Sequence, residues 1–557
     1  MSSSKHSRRR RFLLIASGLV AAALMGIVFL ANLFLEPALR KKLHTIIIQG
    51  SDSLYTYQLG KLKASFFGGD VEVENLRIDI DSNRYEVLKQ RKALPSLTIQ
   101  LALGKGHIKG VGLISVLFGK KIIIEEIMTR QANIRLSRHI NKQETVKDNP
   151  PLWKAMQPSI KSIVVRHIKL DGIKFLYKNA DTSESVKLQF DRFDARIDHL
   201  QIDSAAALDT NRIGFAENIF LKFHDLKFRT ADSSYKMKAE WITYSSKNKT
   251  VEIDSFKLQP TLEREDFYKY YGVQASLYNV EFHKIRLTNI HADRFIHNNV
   301  IDADSMIIQY PHLEVYIDKT QERQFKSKVG TFPHQKLMKA GATITIKNII
   351  VKDGSVMHTE KNEKTGKEGT FSLNTVDLSI KNATNDSILI KQNNICTVDA
   401  VGKILGSSPI KASFKFYLDS SNGRFDVNGS IKNVDEAQLN PLSVSLTNTV
   451  ISSLTIHEIN FSITAEEFEA RADVRMLYNN LSVTLRKVDE ETGEAVTRKF
   501  LTRAINRYLL YPDNPSPNGL ERTAHQVSYA RLTTQSFFGL IWKTLFAGMQ
   551  KIMIRTE

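Results

Sequence analysis

The chain has 557 residues, 42% hydrophobic and 25% charged, a balance that excludes a disordered chain and allows a sizeable packed core. Its net charge of +19 invites a nucleic-acid reading, but residues 1–42 hold eight Lys/Arg against one Glu and so carry +7 of it. The other +12 is spread over 515 residues without a basic stripe, which argues against a phosphate-binding face. Cys396 is the only cysteine, so an intrachain disulfide and a Cys-x-x-Cys zinc site are both excluded.

Residues 12–35 contain no charge and one Asn. As a helix they would reach about 36 Å, enough to cross a hydrocarbon core of roughly 30 Å with some tilt. Phe12, Leu13, Leu14, Ile15, Leu19, Val20, Leu24, Ile27, Val28, Phe29, Leu30, Leu33, Phe34 and Leu35 supply the apolar surface of this expected anchor. Arg8, Arg9, Arg10 and Arg11 precede it, outweighing Arg40, Lys41 and Lys42 after it, which Glu36 softens. The larger cluster stays cytoplasmic, so residues 1–11 form an inner basic tip and the bulk of the chain is exported. The flanking cations suit anionic lipid headgroups. A cleaved signal peptide is the alternative. The apolar run is longer than the usual span of about 7–15 residues, and no small-x-small site precedes Glu36-Pro37.

Beyond the anchor, strict alternation dominates, as in Asp70–Glu74, Ser96–Leu103, Lys187–Ile197, Ile219–Phe223, Thr250–Leu258, Lys411–Leu418 and Arg424–Ile431. Period two with Gly, Asn and Asp punctuation predicts antiparallel strands with one wet and one dry face. Short helices are expected at Leu113–Phe118 and at Leu262–Tyr271, whose acids come early and whose Lys comes late. At the C-terminus an amphipathic helix over Thr534–Ile554 is predicted, with Phe537, Phe538, Ile541, Trp542, Leu545, Met549 and Ile552 near one side. The expected organisation is a β region over 36–140, a polar loop over 141–160, an elongated β region over 161–510, and a loop with the final helix over 511–557. A second polar loop is expected over 359–370. The fold class is thus mainly β: one transmembrane helix, then a long antiparallel sheet with a few short helices.

A weak repeat runs through the strands. Val73-Glu-Asn-Leu76-Arg-Ile78 returns as Val165-Arg-His-Ile168-Lys-Leu170, Phe282-His-Lys-Ile285-Arg-Leu287 and Ile346-Lys-Asn-Ile349-Ile-Val351. In each the apolar step lengthens from two to three, which predicts a bulge in the strand.

Catalytic motifs are missing. His283, His291 and His297 are too widely spaced along a strand to share one metal unless the chain folds back. The neighbours Glu125 and Glu126, and likewise Glu466 and Glu467, would face opposite sides of a strand and cannot act as a pair. There is no nucleophile elbow, P-loop or dinucleotide fingerprint. The expectation is a non-enzyme without cofactor or metal.

Taken together, the basic tip, the single helix, the phrase Gly68-Gly-Asp-Val-Glu-Val-Glu-Asn-Leu-Arg-Ile-Asp-Ile80 and the passage Leu113–Ile127 resemble the AsmA-like envelope proteins, the group that includes AsmA and TamB. Leu439-Asn-Pro-Leu442, Ala470–Leu485 and Phe538–Gly548 are similar to Bacteroidota-type members. The chain departs from them at Asp473-Val-Arg-Met-Leu-Tyr478, where relatives tend to carry Gly before Met-x-x-Tyr. The resemblance implies a Gram-negative inner-membrane protein with its bulk in the periplasm. It also implies a curved sheet of roughly 30 strands, spanning on the order of 140 Å at about 4.8 Å per strand. Its apolar groove would take phospholipid acyl chains, in lipid transport between inner and outer membranes or in outer-membrane assembly and homeostasis. The groove positions would be Val71, Val73, Leu97, Ile99, Leu101, Phe190, Phe193, Phe414, Phe416 and Leu418. In the final helix Phe538, Ile541, Trp542, Leu545 and Met549 would form an apolar face that either caps the sheet or meets a membrane or partner. The partners implied are the membrane, acyl chains and other envelope proteins, with no nucleic acid. Two alternatives stay open: an exported β-sandwich that binds or assembles envelope proteins or glycans, and, third, an enzyme with a non-local site. Alternation alone does not separate an open groove from a closed core.

Overall fold

A computed structural model describes residues 36–41, 43–49, 51–65, 68–91, 93–95, 97–111, 121–139, 161–179, 186–209, 212–213, 215–230, 232–447, 449–488 and 495–555. The expected anchor at 12–35 with its arginines, the helix expected at Leu113–Phe118 and the loop at 141–160 lie outside them. Among the described residues no helix is long and apolar enough to cross a membrane.

The fold is mainly β, with one long, mostly antiparallel sheet. It divides into two compact units, Met1–Arg229 with Glu240–Lys247, and Thr230–Ala239 with Asn248–Glu557. In the first unit lie β1 (Tyr55–Ser65), β2 (Asp70–Ile80), β3 (Leu97–Lys109), β4 (Lys121–Arg138), β5 (Ser162–Asn179), β6 (Val186–Ile202) and β7 (Asn218–Arg229). Each pairs with the next, antiparallel except for the parallel β4–β5 step. Strand β8 (Tyr235–Ser245) is shared between the units.

The second unit continues with β9 (Thr250–Pro260), β10 (Ser276–Thr288), β11 (Val300–Gln309), β12 (His312–Asp318), β13 (Thr343–Lys361) and β14 (Glu368–Thr384). Then come β15 (Ile395–Ile404), β16 (Ser408–Tyr417), β17 (Phe425–Asp435), β18 (Thr449–Ala465), β19 (Glu469–Val488), β20 (Ala495–Thr497) and β21 (Thr523–Ala530). Strands β11 and β12 both run parallel to β13, and the other pairings are antiparallel. The described strands number 21 rather than about 30, because several are long, β19 reaching 20 residues. The polar stretch expected as a loop over 359–370 is a tight hairpin whose turn uses Gly366 at φ +62°.

The lengthened step of the repeat is a real irregularity of the ladder. In β2 the pairing with β1 skips Asn75, held at φ 55°, opposite Gly60. A Cβ on Gly60 would stand 3.0 Å from Glu74 O and 3.1 Å from Asn75 Cβ. For the copies in β5, β10 and β13 the left-handed residue lies across the ladder, on the neighbouring strand: His199, Ser255 and Asn382. One residue per strand leaves the alternation there, so apolar side chains stay on one face on both sides of the skip.

The C-terminal helix is Phe537–Met553, started by Ser536, whose Oγ accepts from Gly539 N at 3.1 Å. It lies on the sheet against β18, β19 and β21. The approach is close enough that a Cβ on Gly548 would meet Val474 Cγ2 at 2.4 Å. Phe537, Leu540, Leu545, Met549 and Ile552 are buried, whereas Phe538 and Trp542 are exposed. The sequence placed those two on the apolar face. Phe538 stands in the first turn of the helix and Trp542 one turn on, at the edge of the stripe that the sheet covers. The helix expected at Leu262–Tyr271 runs over Arg264–Tyr271 and ends at Gly272, φ 64°. Helices at Ser82–Gln90, Pro333–Met338, Ser387–Gln392, Glu436–Thr447 and Lys499–Ala504 had no sequence counterpart. Most are too short for a period of 3.6 to show.

Candidate functional site

The pairing registers stack apolar side chains into rows. In the first unit Ala64, Val71, Ile108, Ile127, Ile168, Ile197 and Ile219 pair in succession from β1 to β7. A second row runs Tyr57, Ile78, Leu101, Ile134, Phe175, Phe190. Every member of the first row is only half-buried. Among the described residues the helical turn Thr45–Gln49 packs on β1, with His44 edge-on to Tyr57 at 6.0 Å at one end of the second row, and the helix Ser82–Gln90 joins a small separate cluster of Leu54, Leu88 and Leu94. Four phenylalanines make an aromatic floor, Phe175 on Phe190 and Phe193 on Phe223, each pair with ring centroids 4.8 Å apart.

The opposite face is wet and ion-paired. Lys105 Nζ reaches Glu72 at 2.7 Å, and Lys169 Nζ reaches Glu126 at 2.5 Å. These lysines, by hydrogen bonding first and charge second, hold both carboxyls below the ordinary range. Glu125 turns instead to Arg166 at 3.3 Å, so the adjacent glutamates have separate partners.

The second unit carries a longer row: Val251, Leu287, Met306, Ile349, Ile380, Val398, Phe414, Val427, Ile463, Ala472 and Val527. Its middle is half-buried, but Val427, Ile463 and Ala472 are fully enclosed. The C-terminal helix and Phe332, in the crossover between β12 and β13, cover that end. Phe537 contacts Phe414, Phe416 and Phe425, its ring 4.9 Å from that of Phe425.

The ten positions predicted to line a groove therefore separate. Val71, Val73, Leu101 and Phe193 are half-buried on the uncovered face, Ile99 is exposed, and Phe190 is buried among its aromatic neighbours. Leu97 pairs with Arg138 in the ladder. Phe414, Phe416 and Leu418 belong to the covered core instead, because helix and crossover close over them. No known protein family and no curated protein matches the chain.

Sequence reasoning missed the polar lock beside this core. Arg531 is buried; its Nη1 donates to Glu467 O at 3.0 Å and to the Glu467 carboxylate, and its Nη2 donates to Lys328 O at 2.9 Å and Gln535 O at 2.8 Å. Gln335 Nε2 donates to the other Glu467 oxygen at 2.6 Å. Glu466 is exposed and takes no part in this lock. Burial pushes the Cys396 thiol up to about 11, so it is a packing residue rather than a ready nucleophile.

Proposed function

We propose that this chain is a membrane-anchored sheet protein of the AsmA-like type. Its uncovered apolar face shields phospholipid acyl chains as they move through a bacterial envelope between inner and outer membranes. The observation that carries the reading is the row Ala64–Val71–Ile108–Ile127–Ile168–Ile197–Ile219, half-buried in all seven strands with a charged, paired face behind it. An apolar patch of that continuity on a soluble surface marks an interaction site. Its one-dimensional continuity suits a sliding acyl chain better than a single bound ligand. In this reading the segment 12–35 holds the chain at the inner membrane, with the sheet on the periplasmic side, and no residue performs chemistry.

The test is photo-crosslinking in intact cells, with p-benzoylphenylalanine in place of Phe193 on the apolar face or of Arg192 on the wet one. Phospholipid, detected by mass spectrometry on the purified chain, is expected on the first and not on the second. Equal labelling, or none, removes the acyl-chain reading. A second reading, an exported scaffold for envelope proteins or glycans, draws on the enclosed core around Phe416 and Phe425. Protein adducts without lipid at Phe193 would favour it.

A further inference from the structure

The covered end of the second unit carries an unusual surface. Three chain segments are tied together there: Arg531 N donates to Phe468 O at 2.8 Å, Lys328 N donates to Thr533 O at 2.7 Å, and Gln335 bridges to Glu467. Around these ties large apolar side chains stand out into solvent: Phe468 at the β18–β19 turn, Leu532 after β21, Phe538 in the first turn of the final helix, and Phe325 on the segment that leads to Lys328. Trp542 follows one turn after Phe538. Between Val329, Met338, Leu418 and Phe468 lies a cavity of about 480 Å³. The same segments expose Arg323, Lys326, Lys328, Lys336, Lys339 and Lys543, against the two exposed acids Glu322 and Glu466.

We propose that this end of the second unit docks on an anionic lipid surface. Lysine is depleted from protein–protein interfaces, whereas here it is the commonest exposed residue between the apolar tips. Lysine and arginine beside an anionic bilayer are attracted to it, and isolated aromatic and aliphatic tips insert among the headgroups. The charge complementarity selects a membrane over a second copy of this chain, which would bring one cationic surface against another. Of the final-helix face that the sequence offered for this role Leu545 and Met549 are buried in the core, so its exposed members Phe538 and Trp542 and the neighbouring turns take it over. The inference does not depend on acyl chains moving along the first unit, and either can fail alone.

The experiment reconstitutes the full chain into phosphatidylcholine vesicles. It then measures capture of a second, dye-labelled vesicle population, of phosphatidylcholine alone or with one-third phosphatidylglycerol. Capture is expected only with phosphatidylglycerol and is expected to weaken with salt. Each lysine near such a surface is worth about fivefold in partitioning, so Lys326→Glu with Lys328→Glu should lower capture roughly twentyfold or more. Phe468→Ser with Leu532→Ser should lower it as well. Both pairs alter exposed side chains, and an unchanged melting temperature of each variant confirms that it folds. Three results overturn the proposal: capture that ignores headgroup charge, capture unchanged in both folded variants, or loss of a dimer rather than of capture in the Phe468/Leu532 variant.

Discussion

Replacing Arg531 with Met tests whether the covered end of the second unit is held by its buried ion pair. The Arg531 side chain is wholly removed from solvent and lies 4.3 Å over the Phe332 ring. Its loss leaves the Glu467 carboxylate, only 7% exposed, with Gln335 as its remaining side-chain partner and takes a donor from the carbonyls of Lys328 and Gln535. Removing one partner of a buried pair costs about 3–5 kcal/mol, so the expected loss is about 4 kcal/mol. Arg531→Met with Glu467→Met removes the stranded charge as well, and should recover about half of that loss, the two carbonyls accounting for the remainder. The assay is urea unfolding followed by Trp542, the only one of the three tryptophans that lies in the second unit, in a Trp153→Phe/Trp241→Phe background. A single variant within about 1 kcal/mol of its parent would refute the reasoning. So would a double variant no more stable than the single one.

Three further outcomes follow from the same packing. Burial holds His334 at about 4, below its ordinary value near 6.5. As pH falls the unfolded chain takes up the proton first, so the stability contributed by the neutral ring is complete above about 6.5 and is lost progressively down to about 4, on the order of 3 kcal/mol in all. In His334→Asn that part of the pH slope should vanish, and a slope unchanged in a titration of unfolding free energy would exclude His334 as its source. Gly548→Val forces the final helix off Val474 and should cost about 1–3 kcal/mol, read from the same Trp542 transition, whereas Gln550→Ala on the exposed side should be nearly neutral. Phe416→Ala in the covered core should cost about 3–5 kcal/mol, while Phe193→Ala on the uncovered face should cost clearly less. Similar losses at the two sites would mean that both faces are equally enclosed.

The strands were the legible part of this sequence. Each alternating run read from residues 70 to 431 falls in or against a strand, and the three-residue step of Val73–Leu76 and its copies marks a skipped pair in the ladder. Period two is a local property, so one sequence suffices to show it. The parallel steps β4–β5 and β11–β13 were not legible, because strand direction depends on where a crossover returns rather than on the strand's own residues. Nor was the Arg531–Glu467 pair, whose members are 64 positions apart and carry no local signature. Phe538 and Trp542 stay exposed although the sequence sets them on the same apolar face as buried Leu545 and Met549. An apolar helix rich in Phe, Trp and Leu offers more than one stripe, and the docking partner chooses between them.

The same limit decides what the sheet can do. Phe193 and Phe416 both sit in alternating runs with Lys, Arg or Asp between, and by sequence alone they are equivalent. They differ because His334 and Phe537, from distant parts of the chain, close over Phe416, while the described residues of the first unit supply no such cover for Phe193. Along the second unit's own row the change is gradual, from half-buried Met306, Ile349 and Ile380 to Val427 and Ile463 at 1% and 0% exposure. Burial of a half-exposed Ile or Val gives only part of the roughly 1.5–3 kcal/mol that a fully buried one contributes. The uncovered rows therefore add less to stability per residue than the covered ones, yet they are as regularly apolar. Such a sheet leaves part of a regularly apolar face outside its own core. The covered end has none to spare, and its exposed apolar surface is confined to tips such as Phe468 and Leu532 outside the core.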